Sequence, residues 1–187
     1  MTEKEKMLSG ENYFARDPEL LEIHKKCRQL LSKLNSSQAL NKEERKIILD
    51  NLLSNIDENV WIESPFFCDY GINISIGKNT FINFNCVFID NNLITIGSNV
   101  LIGPGVHLYA VSHPLEYKKR IKDNGDYITF SKPITIEDNV WIGGNTTICQ
   151  GVKIAKNSTI GAGSLVLKDI PEGVLAYGNP CKVIKKL

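Results

Sequence analysis

Cysteine is sparse in this chain. Cys27, Cys68, Cys86, Cys149 and Cys181 form no CxxC pair and are odd in number, so neither a disulfide framework nor a zinc knuckle is indicated. Net charge is nearly absent at +1, which leaves no long-range field for nucleic acid or an anionic membrane. No apolar run is long enough to cross a bilayer, and Met1 to Glu11 is charged where a secretion signal needs an apolar stretch, so a cytoplasmic location is expected. Phosphate-binding and dinucleotide-binding glycine motifs and the GxSxG elbow are missing too, and no cysteine has a histidine beside it to form a covalent nucleophile. What remains is an ordinary globular composition, 42% hydrophobic and 23% charged over 187 residues, enough for one substantial core with a small appendage.

Two regimes meet near Asn55 to Val60. Upstream, Leu20, Leu21, Ile23, Cys27, Leu30, Leu31 and Leu34 recur at three- and four-residue steps and predict an amphipathic helix. Asp17 and Pro18 supply its start signal, an acceptor at the cap and a proline in the first turn. A second helix is predicted from Lys42 to Leu53, with a polar turn at Asn35, Ser36 and Ser37 between the two. Residues 1–57 are thus expected to form a helical segment and 58–187 a separate architecture.

Downstream the period becomes six. Ile136, Ile142, Ile148, Ile154, Ile160 and Val166 follow one another without a slip, and Ile76, Ile82, Phe88 and Ile94, then Ile96, Ile102 and Leu108, do the same. The residue two before most anchors is small or β-branched, so each repeat reads as a short strand sending two side chains inward. Glycines after the anchors, such as Gly77, Gly97 and Gly103, mark sharp corners. Three six-residue sides close a triangular coil of eighteen, stacking Ile142 on Ile160, Ile136 on Ile154 and Ile148 on Val166. The predicted fold is therefore mainly β, a parallel β-helix of hexapeptide repeats.

One stretch breaks the repeat. A proline stands where the anchor after Leu108 should fall, and the following residues are polar and irregular, which predicts an excursion loop over about 109–132. Ser112, His113 and Pro114 lie near its start. An imidazole is a natural general base for a hydroxyl, and a neighbouring proline stiffens its backbone. Taken alone, such a histidine is more often a solvated side chain; its place at the single break in the repeat favours chemistry.

With these features in place, the whole chain resembles the hexapeptide-repeat acyltransferases, and among them the maltose and galactoside O-acetyltransferases. The carriers are Met7, Gly10, Tyr13 and Asp17, the CDYG stretch at Cys68 to Gly71, NFNC at Asn83 to Cys86, SHPL at Ser112 to Leu115, DNVWIGG at Asp138 to Gly144, IGAGSLVLKDIP at Ile160 to Pro171 and GNPCKVI at Gly178 to Ile184. The resemblance implies a left-handed coil, a homotrimer with active sites between subunits, and direct acetyl transfer from acetyl-CoA to a sugar hydroxyl with no metal required. It implies His113 as general base and Asn83 beside the reacting groups. Asp17, Asp69, Asn83, Asp90 and Asn91 would hold the sugar acceptor. Gly103, Trp141, Gly144, Ala162, Lys168, Lys182 and Lys185 would hold the CoA arm and its nucleotide end, although corner geometry explains the glycines equally well and solvated surface explains each lysine better taken singly. His24, Asn91 and Leu167 stand where relatives commonly carry arginine, an acid and threonine. Two alternatives stay open: a non-catalytic trimeric β-helix used for binding, and a zinc hydratase of the carbonic anhydrase type. Only His107 and His113 are placed to serve as coil ligands in the latter.

Overall fold

A computed structural model describes residues 1–36 and 41–187. The chain opens with three helices, α1 (Glu3–Ser9), α2 (Pro18–Ser36) and α3 (Lys42–Leu52), and then winds into a parallel β-helix. Helix α2 starts as predicted: the Asp17 carboxylate accepts the Glu19 N–H at 2.9 Å. Its end differs from expectation, because Asn35 and Ser36 belong to the helix and not to a turn. The amide of Asn35 explains the extension, donating to the Phe66 carbonyl at 2.8 Å and accepting the Phe66 N–H at 3.0 Å. Ser37 lies outside the described residues. Helix α1 has no counterpart among the helices expected from periodicity, although Thr2 and Glu5 form a reciprocal capping box that stands in the sequence as T-x-x-E.

The solenoid has three faces. Face one stacks Asn55–Ile56, Ile74–Ile76, Ile94–Ile96, Ile134–Ile136 and Lys153–Ile154. Face two stacks Trp61–Ile62, Phe81–Ile82, Leu101–Ile102, Trp141–Ile142, Thr159–Ile160 and Val174–Gly178, with Cys181–Lys186 added antiparallel at the end. Face three stacks Phe66–Cys68, Cys86–Ile89, His107–Tyr109, Thr147–Cys149 and Leu165–Val166. The six-step anchors all point inward, and the stackings of Ile142 on Ile160, Ile136 on Ile154 and Ile148 on Val166 are in register. Each fully buried isoleucine contributes about 1.5–3 kcal/mol of apolar transfer, so the columns are the main source of stability. The core does not stop at residue 57. Cys27, Leu31, Leu34, Leu49 and Leu52 join the same cluster as the coil isoleucines, so α2 and α3 plug the open end of the prism.

The eighteen-residue coil holds only where Ile136, Ile142 and Ile148 face Ile154, Ile160 and Val166. Earlier coils repeat every twenty, since Trp61 pairs with Phe81 and Phe81 with Leu101. The two extra residues fall at the edge between faces three and one, at 69–73 and 90–93, and the excursion leaves from the same edge. Its stem is an antiparallel pair, Val111–Ser112 with Phe130–Ser131. At the edge between faces one and two, by contrast, Asn59, Asn79, Asn99, Asn139 and Asn157 all adopt positive φ. Each passes its amide N–H to the next, at 2.9–3.2 Å, so a ladder of asparagines runs down the prism. Asparagine suits this corner because it tolerates the left-handed region and carries both donor and acceptor.

Candidate active site

The insertions at the edge between faces three and one build a cleft. Asp90 is fully buried there, and its carboxylate accepts the backbone N–H groups of Asp69, Tyr70 and Asn73 at 3.0, 2.8 and 3.3 Å. Burial pushes its pKa up to about 7, against the pull of the donated N–H of Tyr70. Asp90 thus braces the corner from within, and its oxygens do not face the cleft. Asn92 continues the brace, with Nδ2 donating to the carbonyls of Met7 and Leu8 and to Ser131 Oγ. Together with the Tyr13 N–H on the Thr129 carbonyl (3.0 Å), these bonds fasten the N-terminal segment to the stem of the excursion loop.

Between that segment, the corner and the loop lies a cleft of about 350 Å³. His113 stands at its lip and is exposed in the single chain, with its ring edge-on to Tyr127. Its Nδ1 lies 2.8 Å from the Ile128 carbonyl. A carbonyl can only accept, so Nδ1 carries the proton and the neutral ring keeps its lone pair on Nε2. Asp69 lines the same cleft; burial pushes its carboxyl pKa up, and the nearby Arg28 guanidinium pulls it back. Arg28 reaches Asp69 at 3.7 Å and donates from Nε to His24 Nε2 at 3.2 Å, so His24 is tied into this wall. Asn91 also lines the cleft, its Nδ2 donating to the Tyr13 hydroxyl at 2.8 Å. Asp17 caps α2 just outside, next to the wall residues Arg16 and Leu20.

The other expected residues lie elsewhere in the same chain. Asn83 follows the Phe81–Ile82 strand at the edge between faces two and three, stacked in register with Gly103 and Gly143. Gly144 and Ala162 occupy the neighbouring column of that edge. For Gly103 the coil supplies its own requirement, because a Cβ there would meet the Gly144 nitrogen at 2.6 Å. Trp141 projects from face two, 55% exposed, and Lys182 and Lys185 sit on the terminal antiparallel strand. Lys168 follows the Leu165–Val166 strand, on the edge that carries the cleft. The single chain therefore brings His113, Asp69 and Asn91 together and keeps Asn83, Gly103, Gly144 and Ala162 a full face away, roughly 20 Å for six extended residues. Sequence reading missed Arg16, Tyr127 and Thr129 as cleft residues. The last two stand just before the returning strand, in isolated antiparallel bridges with Ile121 and Tyr13 respectively. Among the described residues no three His, Cys, Asp or Glu side chains are grouped to hold a metal ion, and no helix is long and apolar enough to cross a membrane.

Comparison with known proteins bears on the same regions. Residues 6–57 match a maltose acetyltransferase hexapeptide capping motif, 73–110 a hexapeptide repeat of succinyl-transferase, and 133–168 a bacterial transferase hexapeptide of six repeats. The galactoside O-acetyltransferase of Escherichia coli is 43% identical over 158 residues, 84% of this chain and 76% of that protein. The chain belongs to the maltose and galactoside O-acetyltransferase family. A crystal structure of a maltose O-acetyltransferase from Clostridium difficile superimposes with a TM-score of 0.92 at 44% identity, covering 100% of this chain and 98% of that one. A hexapeptide-repeat acetyltransferase from Vibrio cholerae, solved with acetyl coenzyme A, gives 0.91 at 39% identity, over 100% and 99% of the two chains. Within this family the protein is an acetyltransferase built on a hexapeptide-repeat β-helix.

Proposed function

We propose that the protein transfers the acetyl group of acetyl-CoA to a hydroxyl of a sugar or glycoside, of the maltose, glucose or galactoside type, with His113 as general base. The observation that carries this is the imidazole at the cleft lip, held through Nδ1 by the Ile128 carbonyl so that Nε2 is left basic. Nε2 takes the proton of the acceptor hydroxyl as its oxygen attacks the thioester carbonyl. Collapse of the tetrahedral adduct breaks the carbon–sulfur bond, and the same proton goes to the departing thiolate, leaving an acetyl ester and free CoA. The adduct's oxyanion needs a donor aimed at it beforehand. Asn83 suits that role, because its Oδ1 already accepts the Phe84 N–H at 2.9 Å, which turns Nδ2 outward as a donor.

Asn83 and His113 must meet at one substrate, yet they occupy different edges of one prism. A homotrimer with sites between neighbouring subunits reconciles this, since the cleft edge of one copy then faces the glycine edge of the next. The outer side of face two supports such packing. Trp61, Phe81, Leu101 and Trp141 form an apolar column on it, with 37%, 51% and 55% of Trp61, Leu101 and Trp141 exposed, whereas face one shows Ser75, Thr95, Thr135 and Lys153. A pantetheine arm would lie along the small residues Gly103, Gly144 and Ala162 of the edge that Trp141 precedes, and Lys168, Lys182 and Lys185 would offer cations to phosphate. The acceptor is held by Asp69 and Asn91, with Asp17 at the entrance and Asp90 acting through the corner it braces.

The test mixes protein, acetyl-CoA and a panel of sugars and follows thiol release. Wild type is expected to release thiol only when an acceptor is present, and His113→Ala to turn over about 10²- to 10⁴-fold more slowly. Undiminished turnover by the alanine variant would remove His113 from the chemistry. Silence of the wild type toward every sugar would favour a binding module.

A further inference from the structure

Arg16 brings to the cleft a cation that the chain itself does not neutralise. The Asp17 N–H is bonded to the Phe14 carbonyl at 3.2 Å, which makes Ala15 and Arg16 the tip of a turn just before α2, and both line the cleft. The turn is fixed at its start, because the Tyr13 N–H is held by the Thr129 carbonyl at 3.0 Å and the Phe14 N–H by the Glu3 carboxylate at 2.6 Å. Arg16 is exposed, and its guanidinium lies over the Tyr127 ring, 5.4 Å from the ring centre. Stacking of this kind uses the flat face of the guanidinium and leaves its N–H donors free.

Among the described residues no carboxylate comes within ion-pairing reach of Arg16. The acids near it in the sequence are engaged elsewhere: Asp17 accepts the Glu19 N–H, Glu19 meets Lys4 at 3.5 Å, and Glu3 meets Lys6. Of the described residues that line the cleft only Asp69 is acidic, and Arg28 stands 3.7 Å from it. The same Tyr127 ring that carries the guanidinium has the His113 imidazole edge-on to it, with 5.9 Å between ring centres. The cation and the imidazole are therefore separated by no more than those two distances laid end to end, which is within the span of one hexose and a substituent. A guanidinium fork matches the two oxygens of a carboxylate or phosphate, and its hydrogen bonds to an ionised acceptor are roughly twice as strong as those to a neutral hydroxyl.

We propose that Arg16 is a specificity-determining residue that receives an anionic group of the acceptor, a carboxylate or a phosphate, while a hydroxyl of the same molecule lies at His113. This rests on reading the cleft as the acceptor site, and it narrows the substrate class to acidic sugars or glycosides.

Steady-state kinetics on the full chain with acetyl-CoA decide the matter, comparing glucose and maltose with glucose 1-phosphate, glucose 6-phosphate and glucuronate in wild type, Arg16→Gln and Arg16→Lys. In wild type at least one anionic acceptor is expected to exceed both neutral sugars in kcat/KM by about tenfold or more. Arg16→Gln should lower kcat/KM for that acceptor about tenfold to a hundredfold and leave the neutral sugars within about twofold. Arg16→Lys, which keeps the charge and loses the fork, should fall between the two, and the KM for acetyl-CoA should stay the same in all three proteins. The anionic acceptor that leads separates a carboxylate from a phosphate. A wild type that prefers the neutral sugars, a glutamine variant that loses equally on both classes or on neither, or a lysine variant no better than glutamine would each overturn the assignment of Arg16. A loss that appears instead as a raised KM for acetyl-CoA would overturn it too. In all these cases wild-type turnover of a sugar leaves the acceptor reading standing, whereas a wild type that acetylates no sugar of either class overturns both together.

Discussion

Asn99 offers the sharpest test of how the coil is held. It sits at φ 57°, accepts the Asn79 amide at 3.1 Å and donates to Asn139 at 3.1 Å. Replacement by alanine loses both side-chain bonds and forces a Cβ-bearing residue without local polar compensation into the left-handed region. The backbone component is about 1–2 kcal/mol. Because the ladder is solvent-exposed, each bond adds only about 0.5 kcal/mol, the low end for such contacts. Asn99→Ala is therefore expected to cost about 2–3 kcal/mol. Asn99→Gly keeps the conformation and loses the bonds, and with the greater freedom of an unfolded glycine it should cost about 1–2 kcal/mol. In a chain of this size 1 kcal/mol moves a melting point by roughly 2–4 °C, so thermal unfolding at one protein concentration separates the two variants from wild type. Adding Asn139→Ala to Asn99→Ala should cost less than the sum, since one bond is shared. Glycine as damaging as alanine would refute the backbone half of this reasoning, and strict additivity of the double variant would refute the ladder.

Two further outcomes concern the edge that carries the cleft. Asp90 has its pKa pushed up to about 7 by burial, above the usual carboxylate value near 3.9, so between these limits the folded chain holds a proton that the unfolded chain has lost. Stability from this group is then full at low pH and falls as pH rises from about 4 to about 7; unfolding midpoints across that range should show the slope in wild type and lose it in Asp90→Asn. Asn92→Ala leaves Met7, Leu8 and Ser131 without their shared donor, at about 1–3 kcal/mol. Limited proteolysis should release the N-terminal helix first, and a variant cut no faster than wild type would show that the clamp is not what holds it.

The fold was legible because an inward side chain every six residues is a pattern that little else produces. Ile142, Ile160 and their columns could be assigned from spacing alone, and the break at Pro114 marked the excursion. The coil length was not legible in the same way. Extra residues at 69–73 and 90–93 leave the strands intact and only lengthen one corner, so the local six-step survives while the stacking period becomes twenty. Of the candidate site, His113, Asp69 and Asn91 line one cleft, but the burial of Asp90 was hidden, because an acidic residue that serves backbone N–H groups looks in sequence like one that serves a ligand. Asn99 and its fellows were hidden for a related reason: glycine is the residue that spacing marks at the corners, whereas along one edge asparagine turns the chain and adds a bond between coils.

The irregularities share a location, and this bears on how a repetitive scaffold acquires a site. A coil in which every face repeats offers the same shallow surface at each level, with no concavity to exclude water from a reaction. Along the edge between faces one and two the asparagine ladder keeps successive coils identical, and along the glycine edge the close approach at Gly103 does so. Freedom to insert residues is left at the third edge, where two corners are lengthened, the excursion departs and α1 and α2 dock. The inserted corners bury Asp90, Asn91 and Asn92 as internal bracing for the loop stem, so the His113 imidazole is positioned by a rigid corner although it stands on an exposed loop. Regularity on two edges supplies the stiffness that the irregular edge uses, and for that reason loosening Asn99, far from the cleft, should lower stability without changing the acceptor preference.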